Sequence, residues 1–546
     1  MTKKTLKGPI KSNANGGVKR PRKPRIKKES QPSLNESSVL NESRITDLTE
    51  LIINEHLADE KLSQLSVLRQ MSYVMKNVFG HKGYKSEEQK KAIKYAIEGK
   101  GDLYVSFPTG GGKSLCFQLP AVVVRKVTIV FSPLIALIQD QVQSLRAKNI
   151  PACSWNSTIT SEERSFIARD LFSDYPTFRL VYTTPESAKT DFFKKMVSSL
   201  ISKNLINFFV CDEAHTVPNW GETFRPAYLQ LGELRNLGKN IKWIALTATA
   251  NKGVQESIHN YLGMQQIRQF KTSCYRSNLY YDVIYEETLL EPIKEDILKF
   301  INRIISFYKE YHAGVAVTGI IYCRSREQCE ALADFLTKRD LVSAFYHAQL
   351  DPLVKNEVQR KFMAKEVSVI TATIAFGMGV DCDSKFVVHL TPPSDLASYY
   401  QESGRAGRDG SRSYCRIYYS NEIRKKNLYF KSNDLQQVDK GNDTPEVKAK
   451  KMGTIEETYA KMFEYCESPK CRHSMLSKYF DDNTLVECFG NCDVCRDSPK
   501  VNLAKAFFNQ VKNNPQVLYS AAFKENLKKL IPIKAVNLPE GEYKKS

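Results

Sequence analysis

The sequence predicts an α/β fold: two doubly wound parallel-sheet lobes in tandem, followed by a small helical metal-binding segment. From about residue 60 to 425, short apolar runs rich in β-branched residues alternate with longer helical stretches, as expected of buried parallel strands joined by helices. This span is too long for one such sheet, and an acidic, helical stretch near 285–315 marks the break between two sheets. Five cysteines then fall within thirty residues, which predicts a third unit stabilised by a metal.

The predicted strands follow one another along both lobes. The first lies at 103–107, and the clearest of the others lie at 127–131, 178–183, 207–211, 241–245, 319–322, 368–371 and 386–390. The predicted units are a first lobe (61–285), a second lobe (286–425), a cysteine-bearing subdomain (426–500) and a short Lys-rich tail (501–546). Residues 1–60 are polar and basic without apolar periodicity, so we expect them to be disordered.

Composition and charge narrow the class of protein. The chain has 42% hydrophobic and 26% charged residues, and it lacks an apolar run of the ~18 residues that a membrane span needs. We therefore expect a soluble protein with no signal peptide and no membrane partner, whose thiols are reduced or metal-bound. The net charge of +20 suits either simple solubility or a polyanionic partner such as nucleic acid.

The basic N-terminus contributes much of that charge. Residues 1–28 hold eleven Lys and Arg and no acidic residue, and 19–28 form a dense basic cluster. Such a cluster is typical of nuclear import signals, so we expect a nuclear protein. The alternative is a solvated tail that adheres to nucleic acid without being recognised by a receptor.

A phosphate-binding loop is predicted directly after the strand at 103–107. Small residues there would let backbone N–H groups face phosphate oxygens, and the following helix would add its N-terminal dipole. Lys113 would reach the β- and γ-phosphates of ATP, and Ser114 would coordinate Mg²⁺. The predicted nucleotide-binding residues of the loop are Thr109, Gly110, Gly111, Gly112, Lys113 and Ser114.

Two adjacent carboxylates end the predicted strand at 207–211. Asp212 would hold Mg²⁺ and Glu213 would polarise the attacking water. Such a pair is costly in a core, so a metal or solvent must face it. Thr247 and Thr249 follow the next strand, and these small hydroxyl residues suit a link between nucleotide state and the second lobe.

The second lobe carries two arginines among glycines. Arg408 is predicted to neutralise charge on the transferring phosphoryl group, with Arg405 beside it. The alternative for either arginine is a structural salt bridge. Gln401, a few residues earlier, would orient water or sense phosphate.

From about residue 72 to 496, the order of these motifs resembles the RecQ DNA helicases of superfamily 2. Further segments that match the family's motifs lie at 79–89, 131–141, 183–186, 322–325, 346–348 and 375–381. The resemblance implies RecA-like lobes, and it implies that Gln89 and Lys85 belong to an adenine-reading segment. The segment 131–141 would contact the DNA backbone.

The segment 220–226 resembles the family's aromatic-rich loop, which couples DNA binding to ATP hydrolysis. The resemblance implies that Trp220 and Phe224 stack on bases and that Arg225 meets a phosphate or a carboxylate of the loop. Ordinary core packing is the alternative for the aromatic residues. Glu222 and Thr223 stand where the family has His-Asp, so no role is assigned to them.

The cysteine segment resembles the family's zinc-binding subdomain, closest to the fifth animal RecQ subgroup. The resemblance implies that Zn²⁺ is held by Cys471, Cys488, Cys492 and Cys495, and it leaves Cys466 outside the site. A closed four-cysteine shell is structural rather than catalytic. The residues after Cys495 are too few for a complete winged-helix domain, so we expect a short form of the subgroup.

The resemblance implies an ATP-dependent 3′-to-5′ helicase or translocase that acts on single-stranded and partly duplex DNA in repair, recombination and replication. Its cofactors would be ATP, Mg²⁺ and Zn²⁺. Two alternatives stay open at this point. One is an RNA helicase, and the other is a DNA-stimulated ATPase that anneals DNA or remodels DNA–protein complexes without efficient unwinding.

Overall fold

The computed structural model describes residues 65–216, 226–377 and 382–530. Two parallel β-sheets dominate it, each covered by helices on both faces, and a helical region with clustered cysteines follows. The predicted fold class is therefore confirmed. In the part of the chain that is described, no helix is long and apolar enough to cross a membrane.

The first sheet has seven parallel strands in the order β3-β4-β2-β5-β6-β1-β7. The strands are β1 Leu103–Ser106, β2 Val127–Phe131, β3 Ala152–Trp155, β4 Leu180–Thr183, β5 Ile206–Cys211, β6 Lys242–Thr247 and β7 Arg268–Lys271. The helices around it are α1 Val67–Tyr73, α2 Glu87–Glu98, α3 Leu115–Val124, α4 Ile135–Arg146, α5 Ser161–Leu171, α6 Pro185–Ala188, α7 Asp191–Ser202, α8 Pro226–Leu229, α9 Leu234–Leu237 and α10 Lys252–Tyr261. A π-helical turn, Val74–Val78, continues α1, and 3₁₀ turns lie at Ala214–Thr216 and Leu231–Glu233.

The central strands of this sheet are buried on both faces. β2 and β4 are buried at every position, which is why they appear in the sequence as mostly apolar runs rich in β-branched residues. Separate apolar cores lie on the two sides of the sheet, one containing Phe117 and the other Trp243. Since the strands are parallel, the loops after β1, β5 and β6 emerge at one edge, where ligands of such sheets bind.

The second sheet has six parallel strands in the order β10-β11-β9-β12-β13-β8. The strands are β8 Leu279–Tyr285, β9 Gly319–Tyr322, β10 Ser343–Tyr346, β11 Val369–Ala372, β12 Phe386–His389 and β13 Ser413–Tyr419. Its helices are α11 Ile293–Tyr311, α12 Arg326–Thr337, α13 Pro352–Met363 and α14 Leu396–Ser403, and a 3₁₀ turn lies at Glu286–Thr288.

The second lobe begins earlier than predicted. β8 lies within the span assigned to the first lobe, yet it pairs with β13 along its whole length, from Leu279 with Ser413 to Tyr285 with Tyr419. The boundary is therefore wrong at this point. The sequence did not reveal this because β13, the strand that pairs with β8, comes about 130 residues later in the chain.

The region after β13 is helical and packs on the edge of the second sheet. Its helices are α15 Asn421–Lys440, α16 Pro445–Glu467, α17 Arg472–Tyr479 and the short α18 Asp493–Arg496. Tyr281 of β8 forms a parallel bridge with Cys492, so the cysteine subdomain continues the sheet beyond its edge strand.

The predicted Lys-rich tail begins with ordered structure instead. It contains α19 Ser498–Asn513, a 3₁₀ turn at Pro515–Tyr519 and α20 Ala521–Leu530. The ring of Phe508 stacks on Tyr285 with 4.9 Å between centroids and lies 5.4 Å from Tyr419. The apolar spacing of Phe507, Phe508 and Val511 is helical, and it is the signal that the high lysine content obscured.

Candidate nucleotide site and metal centre

The phosphate loop lies between β1 and α3 with the backbone that its glycines allow. Gly110 and Gly112 both have φ of +81°, and the Gly111 N–H donates to the Pro108 carbonyl at 2.8 Å. Ser114 is the N-cap of α3, so its hydroxyl lies at the N-terminal end of the helix, where the helix dipole favours an anion. The structure thus brings Thr109 to Ser114 into one turn at the edge of the sheet.

Lys85 and Gln89 attach to this loop. The Lys85 ammonium donates to the Gly110 carbonyl at 2.7 Å, and the Gln89 amide donates to the Gly112 carbonyl at 2.9 Å. A Cβ atom on Gly112 would lie 2.2 Å from Nε2 of Gln89, so this position requires glycine for space as well as for its φ. The adenine-reading segment implied by the resemblance is therefore hydrogen-bonded directly to the phosphate loop.

Lys113 points into the space between the loop and the two carboxylates. Its Nζ donates to the Phe107 carbonyl at 3.3 Å. Burial lowers the pKa of the Lys113 ammonium, and the charges of Glu213 and Asp212 oppose that effect. The ammonium is thus near two acidic groups but forms no ion pair with any described residue, so it is able to bind an anionic ligand.

Asp212 and Glu213 follow β5 at the same edge. Glu213 has φ of +49°, a left-handed conformation that is costly for a residue with a side chain. His215 Nδ1 lies 3.3 Å from the Glu213 carboxylate and 3.2 Å from the Thr247 hydroxyl. His215 therefore links the carboxylate pair to the end of β6, a contact that the sequence did not reveal.

The two carboxyl groups differ in their pKa. Burial, together with the charge of Glu213, raises the pKa of Asp212 to about 7. Burial acts in the same direction on Glu213, but the His215 ring nitrogen 3.3 Å away and the nearby Lys113 charge lower its pKa to about 2. Glu213 is thus ionised at neutral pH, and its carboxylate is able to orient and polarise a water molecule.

The arginine loop, residues 404–410 of the second lobe, faces the phosphate loop. A Cβ atom on Gly404 would lie 3.2 Å from Cβ of Thr109, and one on Gly110 would lie 3.6 Å from Cγ of Arg408. The charge of Arg408 lowers the pKa of Lys113, and that of Arg405 lowers the pKa of Glu213.

The two lobes therefore contribute to one site. Arg405 is buried and Arg408 is half-buried, so neither side chain extends into bulk solvent. Gln401 is half-buried on α14, just before the arginine loop.

The predicted DNA-contacting residues Trp220, Phe224 and Arg225 lie outside the described residues, as do Glu222, Thr223 and residues 378–381 of the second lobe. Their predicted roles stay predictions.

Four cysteines of the C-terminal subdomain converge. The Sγ atoms of Cys471, Cys488, Cys492 and Cys495 all lie within 4.8 Å of one another. Those of Cys471 and Cys492 are 3.9 Å apart, close to the ~3.8 Å separation of two sulfurs about 2.3 Å from one tetrahedral Zn²⁺. Backbone N–H groups of Ser474 and Cys495 donate to two of the sulfurs, which favours the thiolate form. The donor set therefore fits zinc.

Cys466 belongs to a different environment. It is buried near the end of α16 and is not part of the group of four thiols. Its carbonyl accepts a hydrogen bond from the Tyr285 hydroxyl at 2.8 Å, and burial raises the pKa of its thiol. It is part of the core between α16 and the sheet.

A buried ion pair ties the cysteine subdomain to the second sheet. The Arg472 guanidinium donates to both carboxylate oxygens of Asp493, at 2.9 and 3.0 Å, and Asp493 also accepts from the Val283 N–H at 3.0 Å. Since Val283 lies in the edge strand β8, this pair joins the metal centre to the sheet.

Three segments of the chain match known families. Residues 86–257 match the DEAD/DEAH box helicases, residues 299–410 the helicase conserved C-terminal domain, and residues 432–496 the RecQ zinc-binding family. The matched segments include the phosphate loop, the arginine loop and the four clustered cysteines.

Individual relatives agree with these families. The chain is 41% identical over 431 residues to the ATP-dependent DNA helicase Q5 of Rattus norvegicus, an alignment covering 78% of this chain and 44% of the rat protein. It is 34% identical over 432 residues to the ATP-dependent DNA helicase RecQ of Haemophilus influenzae, covering 78% of this chain and 64% of that protein. The chain thus spans less than half the length of the rat relative.

A comparison with solved structures agrees on the fold alone. The helicase Lhr of Mycobacterium smegmatis, bound to ssDNA and AMP-PNP, aligns with a TM-score of 0.51 at 16% identity. The alignment covers 80% of this chain and 57% of that chain.

Proposed function

Since the chain belongs to the RecQ family of DNA helicases, we propose that it is an ATP-dependent enzyme that moves along single-stranded DNA and unwinds duplexes. The observation that carries the proposal is the meeting of the phosphate loop of one lobe with the arginine loop of the other. A nucleotide bound there would contact both lobes, so its hydrolysis would change how they are held together.

Different residues at this junction have different roles in ATP hydrolysis. Backbone N–H groups of 110–114 and the Lys113 ammonium bind the phosphates. Mg²⁺ would be held by Ser114 and Asp212, and when bound it supplies charge neutralisation between the β- and γ-phosphates. Glu213, ionised and 3.3 Å from the His215 ring nitrogen, orients and polarises the attacking water.

The second lobe completes the site. Arg408, assisted by Arg405, stabilises the charge that develops on the transferring phosphoryl group, and Gln401 orients water or senses phosphate. The lobes close when ATP is bound and reopen after hydrolysis, which advances the protein along the DNA backbone. The resemblance implies movement from 3′ to 5′.

The four thiolates would hold Zn²⁺, whose role is to stabilise the subdomain rather than to take part in the reaction. Trp220, Phe224 and Arg225 are proposed to contact DNA. The basic cluster at 19–28 supports a nuclear location, consistent with work in DNA repair, recombination and replication.

The test combines two assays on the purified chain. ATP turnover is measured without nucleic acid, with single-stranded DNA and with RNA, using Lys113→Ala as the inactive control. Strand displacement is then compared on duplexes with a 3′ or a 5′ single-stranded tail. We expect stimulation by DNA and displacement of the 3′-tailed substrate. Stimulation by RNA alone identifies an RNA helicase, and turnover without displacement identifies an annealing or remodelling ATPase.

A further inference from the structure

The arginine loop is held from outside by the connector, residues 272–278, which joins the two lobes. The Arg276 guanidinium donates one hydrogen bond to the Gly404 carbonyl at 3.1 Å and a second to the Gly407 carbonyl. The Gly404 carbonyl belongs to the peptide unit immediately before Arg405, and the Gly407 carbonyl belongs to the one immediately before Arg408. A single side chain of the connector thus fixes the peptide units from which both arginines project.

Asn278 strengthens the same attachment. Its side-chain amide donates to the carbonyls of Gly407 and Ser411, both at 2.9 Å. Gly407 has φ of +59°, and a Cβ atom there would lie 2.4 Å from Nδ2 of Asn278. The loop therefore needs glycine at 407 both to turn and to let the connector approach it.

The connector is itself anchored to the cysteine subdomain. The Tyr275 hydroxyl donates to the Cys488 carbonyl at 3.3 Å and accepts from the Asn491 amide at 3.0 Å. Asp482 accepts from the Ser273 hydroxyl at 2.8 Å and from the Cys274 N–H at 2.7 Å. Hydrogen bonds thus attach the connector at one residue to the carbonyl of Cys488 and at the next residue to the arginine loop.

We propose that Arg276 is a positioning residue for ATP hydrolysis, holding Arg405 and Arg408 against the phosphate loop and tying their position to the cysteine subdomain. The proposal rests on the proposed function, since it assigns to Arg276 an effect on that reaction. The two hydrogen bonds that Arg276 donates both go to backbone carbonyls of the arginine loop. It acts through the backbone of the arginine loop.

The side-chain chemistry explains why arginine suits this position. A planar guanidinium presents paired N–H donors in a fixed geometry, whereas a lysine ammonium is a flexible point charge. The guanidinium can hold two carbonyls three residues apart at the same time. A lysine ammonium would hold them less rigidly. Displacement of a catalytic group by about 1 Å can lower turnover by about 100-fold, so loss of this hold should reduce kcat strongly.

The experiment compares Arg276→Ala and Arg276→Lys with wild type in DNA-stimulated ATP turnover. We expect kcat to fall about 10- to 100-fold for Arg276→Ala and by a smaller factor for Arg276→Lys, while KM for ATP stays within about twofold. Zinc content, thermal unfolding and binding of a fluorescent ATP analogue are measured on the same samples. Arg360→Ala, which removes an exposed arginine paired with Glu357 and Glu366 on the surface, is the matched control and should behave as wild type.

A double-variant comparison separates positioning from general damage. In an Arg408→Ala background, Arg276→Ala should lower kcat by less than about twofold further, because the principal arginine that it positions is gone and only the assisting Arg405 remains. Equal losses in the two backgrounds, an unchanged kcat, or a loss shared with ATP binding, zinc content and thermal stability would overturn the proposal. If Arg276→Ala does not fold, the same criteria apply to Arg276→Lys. Absence of turnover in the wild type would instead refute the proposed function itself.

Discussion

Replacing Arg472 by alanine should strongly destabilise the cysteine subdomain. The Arg472 side chain is 0% exposed, and it donates to both oxygens of the Asp493 carboxylate as well as to the carbonyls of Tyr465 and Ser468. Its removal leaves a buried carboxylate without its counter-charge and two carbonyls without this donor. Breaking a buried pair in this way typically costs about 3–5 kcal/mol.

The expected loss lies in the lower part of that range. Asp493 keeps hydrogen bonds from the Val283 N–H at 3.0 Å and the Val494 N–H at 2.7 Å, so its charge stays partly compensated. We therefore expect the free energy of unfolding to fall by about 3–4 kcal/mol. Adding Asp493→Asn to Arg472→Ala should recover part of this loss, because no buried charge then remains.

Urea unfolding at a fixed zinc concentration measures the change, and Arg360→Ala serves as the control for loss of an exposed arginine. A decrease below about 1 kcal/mol for Arg472→Ala would show that the pair is not what joins the subdomain to β8. Failure of the Asp493→Asn change to recover any stability would show that the unpaired charge is not the cause of the loss.

Four further variants, one of them measured at two pH values, test other parts of the molecule. Lys113→Ala should abolish ATP hydrolysis while DNA binding persists, and turnover that survives would refute the site. Cys492→Ser should lower bound zinc and solubility together; a soluble, zinc-free and active variant would refute a structural metal. Trp220→Ala should reduce DNA stimulation more than basal turnover, and equal loss of both would indicate packing. Burial and the neighbouring Glu287 raise the pKa of Glu286 to about 7 from its usual 4.5, so its contribution to stability is present below pH 4.5 and lost as pH rises through 7. Glu286→Gln should therefore raise the free energy of unfolding by about 1–2 kcal/mol at pH 8 and leave it nearly unchanged at pH 5, whereas equal effects at both pH values would contradict the assignment.

The sequence predicted those features of the protein whose determining residues lie close together in the chain. The strands at 127–131 and 207–211 are mostly apolar because both faces of the sheet are covered, and the structure has them there as β2 and β5. The phosphate loop was identifiable because its glycines and Lys113 are consecutive. The cysteine cluster was identifiable because three of its four ligands fall within eight residues.

Features that depend on distant partners were missed. β8 was assigned to the first lobe because nothing within 279–285 indicates that its partner is β13. Arg276 carries no sequence signal, since its acceptors are backbone carbonyls 128 and 131 residues later. The helix at 498–513 was taken for a tail because lysines mask the aromatic residues that it places against Tyr285 and Tyr419.

The central claim is that a nucleotide site of the first lobe is completed by arginines of the second. It is tested most directly by measuring DNA-stimulated ATP turnover and ATP affinity for wild type and Arg408→Ala. We predict that kcat falls at least about 10³-fold while ATP affinity changes by no more than a few-fold. Turnover of Arg408→Ala equal to that of wild type would contradict the claim.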